Sequence, residues 1–141
     1  MKATLQPGVS RIERILVDRN RTISFMGEEA RVYATPRLVS DIEYTCRNLI
    51  LDHVDAGEDS VGVEVALKHL APSLPGMTVE IGVRVTAVDR RKISFEVTAK
   101  DELDTISTGS HTRFVVEVAK TIVRLKAKAA KRDAQKDSGG A

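Results

Sequence analysis

With 141 residues, 42% of them hydrophobic, the chain fits a single globular domain with one core, and its formal net charge is +2. A single cysteine, Cys46, excludes an internal disulfide and a zinc site made of several cysteines, and the three histidines do not have the spacing of a metal site. No segment has the length and hydrophobicity of a signal peptide or of a membrane span, so we expect a soluble, cytoplasmic protein with no membrane partner.

The first strong signal along the chain is a helix over about residues 36–54, preceded by a less regular strand over about residues 8–17. Thr35 is a typical N-cap residue, and Pro36 suits the first helical position. At about 100° per residue, one broad arc of the helix is apolar. It consists of Leu38, Val39, Ile42, Cys46, Ile50 and Val54. Cys46 lies deep in this arc and is therefore predicted to be a core residue and not a nucleophile.

Alternating hydrophobicity then predicts four strands, over about residues 60–69, 78–86, 92–99 and 104–118. In the first strand the alternation places five residues on one face, namely Val61, Val63, Val65, Leu67 and His69. Gly109 is predicted to mark a bulge in the last strand. Short turns join these strands, so they should pair antiparallel. The resulting α+β fold has one long helix wrapped by an antiparallel sheet.

The C-terminal segment, predicted as a helix followed by a tail, carries the excess positive charge. Seven Lys and Arg residues lie between positions 120 and 136 against Asp133, which leaves 15 basic and 19 acidic groups in the remainder of the chain. Such a run is typical of a solvated terminal helix; binding of a polyanion is the alternative, but the run has no aromatic residues on which bases could stack. We therefore expect no nucleic-acid partner. We predict one domain over residues 1–132 and a disordered polar tail over residues 133–141.

Three polar residues interrupt the apolar pattern. Glu43 falls inside the apolar arc of the helix, His69 ends the apolar face of its strand, and Thr35 stands at the helix entrance. A hydroxyl, a carboxylate and an imidazole beside an apolar cleft could supply a polarising donor, a base and a proton shuttle. Taken singly, each has a structural interpretation, as a helix cap, a partner of a basic side chain and a strand-end histidine. His53 and His111 are predicted to be surface or interface groups.

The same residues lie in segments that resemble the fluoroacetyl-CoA thioesterase family of hot-dog-fold hydrolases. The matching segments, within about residues 8–118, are RVYAT (31–35), EYTC (43–46), SVG (60–62), LKH (67–69), LPGMTV (74–79) and GSHTR (109–113). Glu43 follows Thr35 by eight residues, and His69 follows Glu43 by 26, as in the catalytic set of that family. The resemblance implies a hot-dog fold and hydrolysis of an acyl-CoA to a carboxylic acid and CoA, without a metal or redox cofactor.

The resemblance also implies roles for individual residues. Glu43 would attack the thioester carbonyl or activate water, Thr35 would polarise or attack, and His69 would handle protons; which of Thr35 and Glu43 is the nucleophile stays open. Gly62 would let the carbonyl approach closely and offer its backbone N–H to an oxyanion. Arg113 would hold Glu43 or a substrate group through a bidentate contact, or form a structural ion pair.

The segment before Thr35 departs from the family, since it lacks the phenylalanine-bearing lid associated with fluoroacetyl selectivity. Phe25 and Met26 are assigned a related covering role at the substrate, and a small acyl-CoA is the expected substrate class. A hot-dog homodimer, or a tetramer built from such dimers, is expected because a single copy leaves a sheet edge exposed.

Three other functions remain as alternatives. The first is a non-catalytic hot-dog protein that binds an acyl-CoA or an acyl carrier. The second is a hydratase or dehydratase of the same fold, which the position of His69 on a strand disfavours. The third is a polyanion-binding protein that uses the basic C-terminal segment.

Overall fold

The computed structural model describes residues 1–139. In chain order its main elements are β1 (Ser10–Leu16), α1 (Thr35–Leu51), β2 (Glu58–His69), β3 (Thr78–Asp89), β4 (Lys92–Lys100), β5 (Thr105–Glu117) and α2 (Val118–Gly139). The five strands form one antiparallel sheet in the order β1-β3-β4-β5-β2, so β1 and β2 are its edges. The predicted architecture of one helix against an antiparallel sheet is confirmed.

The core lies between α1 and the middle of the sheet. Its helical side consists of Leu38, Ile42, Cys46, Leu49 and Ile50, and its sheet side includes Val79, Ile81, Val83, Val85, Ile93, Phe95, Val97 and Ala99. These positions recur with the periods of a helix and of strands, because only such spacing brings apolar side chains to one face. Full burial of each large aliphatic side chain contributes about 1.5–3 kcal/mol.

A bulge in β2 changes the faces that its alternating sequence predicts. Gly62 pairs with Arg113 but Glu64 pairs with Thr112, so Val63 is an extra residue in the strand. Beyond the bulge, Val65 lies opposite His111, whereas before it Val61 lies opposite Phe114. Positions 111 and 114 of a regular strand point to opposite faces.

The prediction that Val61 and Val63 share one apolar face with His69 is therefore wrong, whereas Val65 and Leu67 do lie on the face of His69. Val61, Val63 and Val65 also remain 45%, 57% and 41% exposed at the sheet edge.

Gly109 does not mark a bulge, contrary to the prediction. It pairs in regular register with Leu67 on one side and with Val97 on the other. A Cβ atom at this position would lie 2.1 Å from the carbonyl oxygen of Ala66. Glycine is required here because the backbones of β2 and β5 approach more closely than a side chain permits.

The ends of both helices differ from the predictions. Ala34 occupies the N-cap position of α1 without a side-chain hydrogen bond, Thr35 is the first helical residue, and the helix ends at Leu51 instead of residue 54. α2 continues to Gly139, whereas a polar tail was predicted from residue 133, and residues 140 and 141 lie outside the described part. Ala, Lys, Arg and Gln dominate this segment and are strong helix formers.

Neither helix within residues 1–139 is long and apolar enough to cross a membrane.

Candidate active site

Glu43 lies on the face of α1 that borders β2, at the wall of an open cleft of about 490 Å³. The cleft is lined by Glu43, Tyr44, Arg47, Ser60, Val61, Gly62 and Arg113. The Glu43 side chain is partly exposed, so its carboxylate can meet a ligand that enters the cleft. A carboxylate in this position interrupts the apolar arc because the arc faces a cleft here and not the core.

Gly62 forms the opposite wall of the cleft at the point where β2 comes closest to the carboxylate. A Cβ atom built on Gly62 would lie 2.8 Å from Glu43 Oε1 and 3.3 Å from His111 Cε1. No other residue type leaves this space open, which agrees with the predicted need for close approach. The adjacent bulge at Val63 interrupts the ladder with β5, as bulges near functional sites commonly do.

Arg113 is buried beside the cleft and is held by hydrogen bonds from all three of its nitrogens. Its Nε donates to Ser60 Oγ at 2.8 Å, Nη2 donates to the Ser60 carbonyl oxygen at 2.8 Å, and Nη1 lies 3.2 Å from His111 Nε2. These contacts replace the bidentate contact to Glu43 that was considered from the sequence. Burial lowers the pKa of Arg113, and the nearby Glu43 carboxylate opposes this shift.

His111 is a buried member of this group and not a surface residue, which corrects the prediction. Its side chain is 1% exposed, its Nδ1 lies 2.8 Å from the Glu64 carbonyl oxygen, and its ring stacks on Phe95. Burial lowers its pKa from the ordinary value. The available signal was its position two residues before Arg113 in a predicted strand, which places both side chains on one face.

Thr35 and His69 form a second polar pair at the start of α1. Thr35 Oγ1 lies 2.7 Å from His69 Nδ1, and the buried Tyr33 ring and the imidazole pack in a T-shaped arrangement. Burial lowers the pKa of His69, although hydrogen bonding of the ring to the backbone of Ala71 opposes the shift. His69 Nε2 is inaccessible to solvent and has no hydrogen-bond partner among the described residues.

The two polar groups lie apart within one chain. Eight residues of helix between Thr35 and Glu43 correspond to a rise of about 12 Å. Thr35 thus lies beside His69, and Glu43 lies beside Gly62, His111 and Arg113. Within a single chain, Thr35, Glu43 and His69 do not form one cluster.

Two further residues singled out in the sequence lie outside the cleft lining. Phe25 and Met26 are 81% and 58% exposed in the loop between Leu16 and α1.

Cys46 is buried as predicted, and burial raises its pKa to about 12, so its thiol is not ionised at neutral pH.

Sequence comparison relates the chain to a family of hydrolases. Residues 17–119 match the model of the family described as fluoroacetyl-CoA-specific thioesterase. The chain is 31% identical over 101 residues to the fluoroacetyl-CoA thioesterase of Streptantibioticus cattleyicolor, which covers 72% of this chain and 73% of that protein.

Structural comparison agrees. A structure of the fluoroacetyl-CoA thioesterase FlK superposes with a TM-score of 0.81 at 26% identity, covering 88% of this chain and 97% of that one. A thioesterase superfamily member from Thermus thermophilus gives 0.82 at 27% identity, covering 91% and 96%. A hot-dog-like protein from Thermanaerovibrio acidaminovorans, at 21% identity, covers 86% and 91% with a TM-score of 0.79 and shares the fold.

Proposed function

Because this chain belongs to the fluoroacetyl-CoA-specific thioesterase family, we propose that Glu43, Thr35 and His69 are the residues with which it hydrolyses a small acyl-CoA. Acyl-CoA thioesterase activity itself follows from the family. The observation that carries the assignment of the site is the partly exposed Glu43 carboxylate, which borders a cleft directly opposite Gly62 and beside the buried Arg113 guanidinium. Fluoroacetyl-CoA is the substrate named for the relatives, and the different loop around Phe25 and Met26 favours a less specialised small acyl group here.

In the proposed reaction the thioester carbonyl enters the cleft between Glu43 and Gly62. Either the carboxylate removes a proton from the attacking water, or it attacks the carbonyl carbon itself. In both cases the C–S bond breaks as the tetrahedral intermediate collapses, and in the second case water then hydrolyses the acyl-Glu43 anhydride to the free acid. The missing side chain at Gly62 lets the carbonyl oxygen approach the backbone of β2. The Gly62 N–H, next to the bulge, is the candidate donor that stabilises the negative charge on this oxygen.

His69 is proposed to give a proton to the departing CoA sulfur, and its geometry supports this role. Nδ1 lies at hydrogen-bond distance from Thr35, so Nε2, which is enclosed in the single chain, is the nitrogen left to exchange a proton once the substrate is bound. The lowered pKa keeps the ring uncharged near neutral pH, in the form that can accept a proton and pass it on. Thr35 then either orients His69 or polarises the substrate through its hydroxyl.

We propose that the active enzyme is a homodimer, because a dimer would bring the Thr35–His69 pair of one subunit to the Glu43 group of the other. β2 is an edge strand of 12 residues whose valines are exposed, a surface that proteins normally cover. Antiparallel pairing of two β2 edges about a two-fold axis near Ala66 would set Gly62 of one subunit close to His69 of the partner subunit. Glu43 would then face the Thr35–His69 pair of the other copy. A tetramer would be an association of two such dimers.

The proposed chemistry needs no metal or redox cofactor, because a carboxylate, an imidazole and backbone donors supply the nucleophile or base, the proton and the charge stabilisation. Coenzyme A takes part only as a portion of the substrate. A cytoplasmic location stays a prediction from the sequence.

The test is hydrolysis of a panel of acyl-CoAs, followed with a thiol reagent, for the wild type and Glu43→Gln. We expect the substitution to lower kcat by about 10²- to 10⁴-fold, as for loss of a general base or nucleophile. Glu96→Gln, which changes an exposed glutamate paired with Arg84 on the sheet, is the control and should keep wild-type rates. Full activity in Glu43→Gln would refute the assignment, and tight acyl-CoA binding in calorimetry without any turnover would select the non-catalytic alternative.

A further inference from the structure

The hydrogen bonds of His111 define its tautomer and its charge. Nδ1 lies 2.8 Å from the carbonyl oxygen of Glu64, which can only accept, so Nδ1 carries a hydrogen. Nε2 lies 3.2 Å from Arg113 Nη1, which can only donate, so Nε2 carries a lone pair. The imidazole is therefore neutral. In this form Nε2 cannot donate to Glu43 Oε1, which lies 3.8 Å away, and the two residues do not form an ion pair.

The Nη1 end of Arg113 is the part of the guanidinium that faces the cleft. Ser60 binds Nε and Nη2 on the other side, and His111 Nε2 binds one of the two Nη1 hydrogens. Nη1 would lie 3.5 Å from a Cβ atom on Gly62, and Glu43 Oε1 would lie 2.8 Å from the same point. Within residues 1–139 no other hydrogen bond uses the second Nη1 hydrogen, which is thus available to Glu43 or to a substrate oxygen beside Gly62.

From this geometry we infer that His111 is a positioning residue, whose neutral Nε2 orients the Arg113 guanidinium toward the Glu43 carboxylate and the thioester carbonyl. The inference rests on the proposed role of Glu43. Because Ser60 and His111 hold the guanidinium from two sides, its orientation is fixed. A small displacement of such a charged group from the reacting atoms lowers the catalytic rate.

The surroundings of His111 keep the ring in the state that this role requires. The groups facing it are Glu43 from α1, Arg113 from its own strand, the Glu64 carbonyl from β2 and the Phe95 ring from β4. Burial and the Arg113 charge lower the pKa of His111, whereas the Glu64 carbonyl and Glu43 act in the opposite direction. Protonation of Nε2 would remove the acceptor for Nη1 and place two cations side by side.

Two substitutions separate the two hydrogen bonds of the ring. His111→Asn retains a donor near Nδ1 but does not reach Arg113, whereas His111→Gln places an amide oxygen near the position of Nε2. We expect His111→Asn to lower kcat by about 10- to 100-fold with KM changed less than about threefold, and His111→Gln to recover most of that loss. His53→Gln, outside the cleft, is the control. Equal losses in both His111 variants, or no loss in either, would overturn the inference.

A double-mutant cycle with Arg113→Lys tests whether His111 acts through Arg113. In the Arg113→Lys background, His111→Asn should cost less than about threefold, because the guanidinium that it positions is already absent. The same factor in both backgrounds would overturn the inference. These factors are compared only between variants whose thermal unfolding midpoints show that they are folded.

Histidine ¹⁵N NMR of the wild-type protein tests the same inference without any substitution. We expect His111 to show the signals of a neutral ring protonated at Nδ1 at pH 7; an imidazolium or an Nε2–H tautomer would overturn it. This measurement does not depend on turnover. Full activity in Glu43→Gln would instead refute the proposed function, so the two failures are distinguishable.

Discussion

Gly62 is the residue at which β2 and the Glu43 carboxylate approach most closely. The atom that a Cβ would meet first is Oε1, the end of a flexible side chain, so the added methyl group can be accommodated by moving the carboxylate. Substitution here should therefore disturb the position of the reacting group much more than the stability of the fold.

We predict that Gly62→Ala lowers kcat by about 10- to 100-fold while the free energy of unfolding changes by less than about 1 kcal/mol. Gly82→Ala is a matched control, because its Cβ would lie 3.4 Å from Thr98 Oγ1 in a strand far from the cleft. Rates for the acyl-CoA panel and urea unfolding of the three proteins make the comparison. Wild-type kcat in Gly62→Ala would contradict the assigned geometry.

The buried His111 and the half-buried His69 should make stability depend on pH. The pKa values of His69 and His111 are lowered from 6.5 in the fold, so between those lowered values and 6.5 the unfolded chain binds more protons than the folded one. The free energy of unfolding should thus fall as the pH drops below about 6.5, by at most about 1.4 kcal/mol per pH unit for each histidine.

Urea unfolding between pH 7.5 and 5 measures how the free energy of unfolding changes with pH. His111→Gln should make this change smaller, because it removes one of the two titrating rings. Glu13, Asp59 and Asp101 have lowered pKa values and titrate below this window. Stability that is constant from pH 7.5 to 5 would contradict the burial of neutral rings.

At the scale of elements, β2 decides the shape of the site. Its bulge at Val63 turns Gly62 toward Glu43 while Val65 still faces the same side as His111. Without the extra residue, the positions on the two sides of the bulge could not both face α1. The close pairing of β2 with β5 at Gly109 holds this register.

We predict that Gly109→Ala destabilises the fold by about 3 kcal/mol, since its Cβ would lie 2.1 Å from the Ala66 carbonyl oxygen and backbone cannot move aside as a side chain does. Urea unfolding checks the value, with Gly82→Ala again as the control. A change below about 1 kcal/mol would show that the two strands can separate at low cost.

At the scale of the whole molecule, the exposed β2 edge tests the proposed dimer. Val63→Asp should convert the dimer to a monomer in light scattering and reduce kcat/KM by at least about tenfold, because a charge on this edge opposes pairing. Ile12→Asp, a change of an exposed residue on the opposite edge strand β1, should leave both properties unchanged. A fully active monomeric Val63→Asp variant would refute a site shared between two subunits.

The basic helix α2 begins where the family match ends at residue 119. Its apolar residues Ile122, Val123 and Leu125 are exposed, so it adds little to the core. Deletion of residues 120–141 should leave kcat within about twofold and the unfolding midpoint nearly unchanged. Salt-dependent binding of a polyanion by the full chain, absent after the deletion, would instead support the polyanion-binding alternative.

The sequence determined the elements that depend on local periodicity. Alternation identified all four strands after α1, the apolar arc identified α1, and the separations of Thr35, Glu43 and His69 indicated the family. Helix and strand periods are properties of neighbouring residues, and the separations are properties of the chain, so both can be read without knowing how elements meet.

The tertiary structure alone decided which faces and residues meet at the site. The bulge in β2 arises from its pairing with β5, and His111 is buried because its strand crosses under α1; neither depends on residues close in sequence. The separation of Thr35 from Glu43 by about 12 Å follows from the straight helix that carries both. Contacts between distant segments therefore place the three predicted residues in two separate polar groups. One group is the Thr35–His69 pair and the other surrounds Glu43.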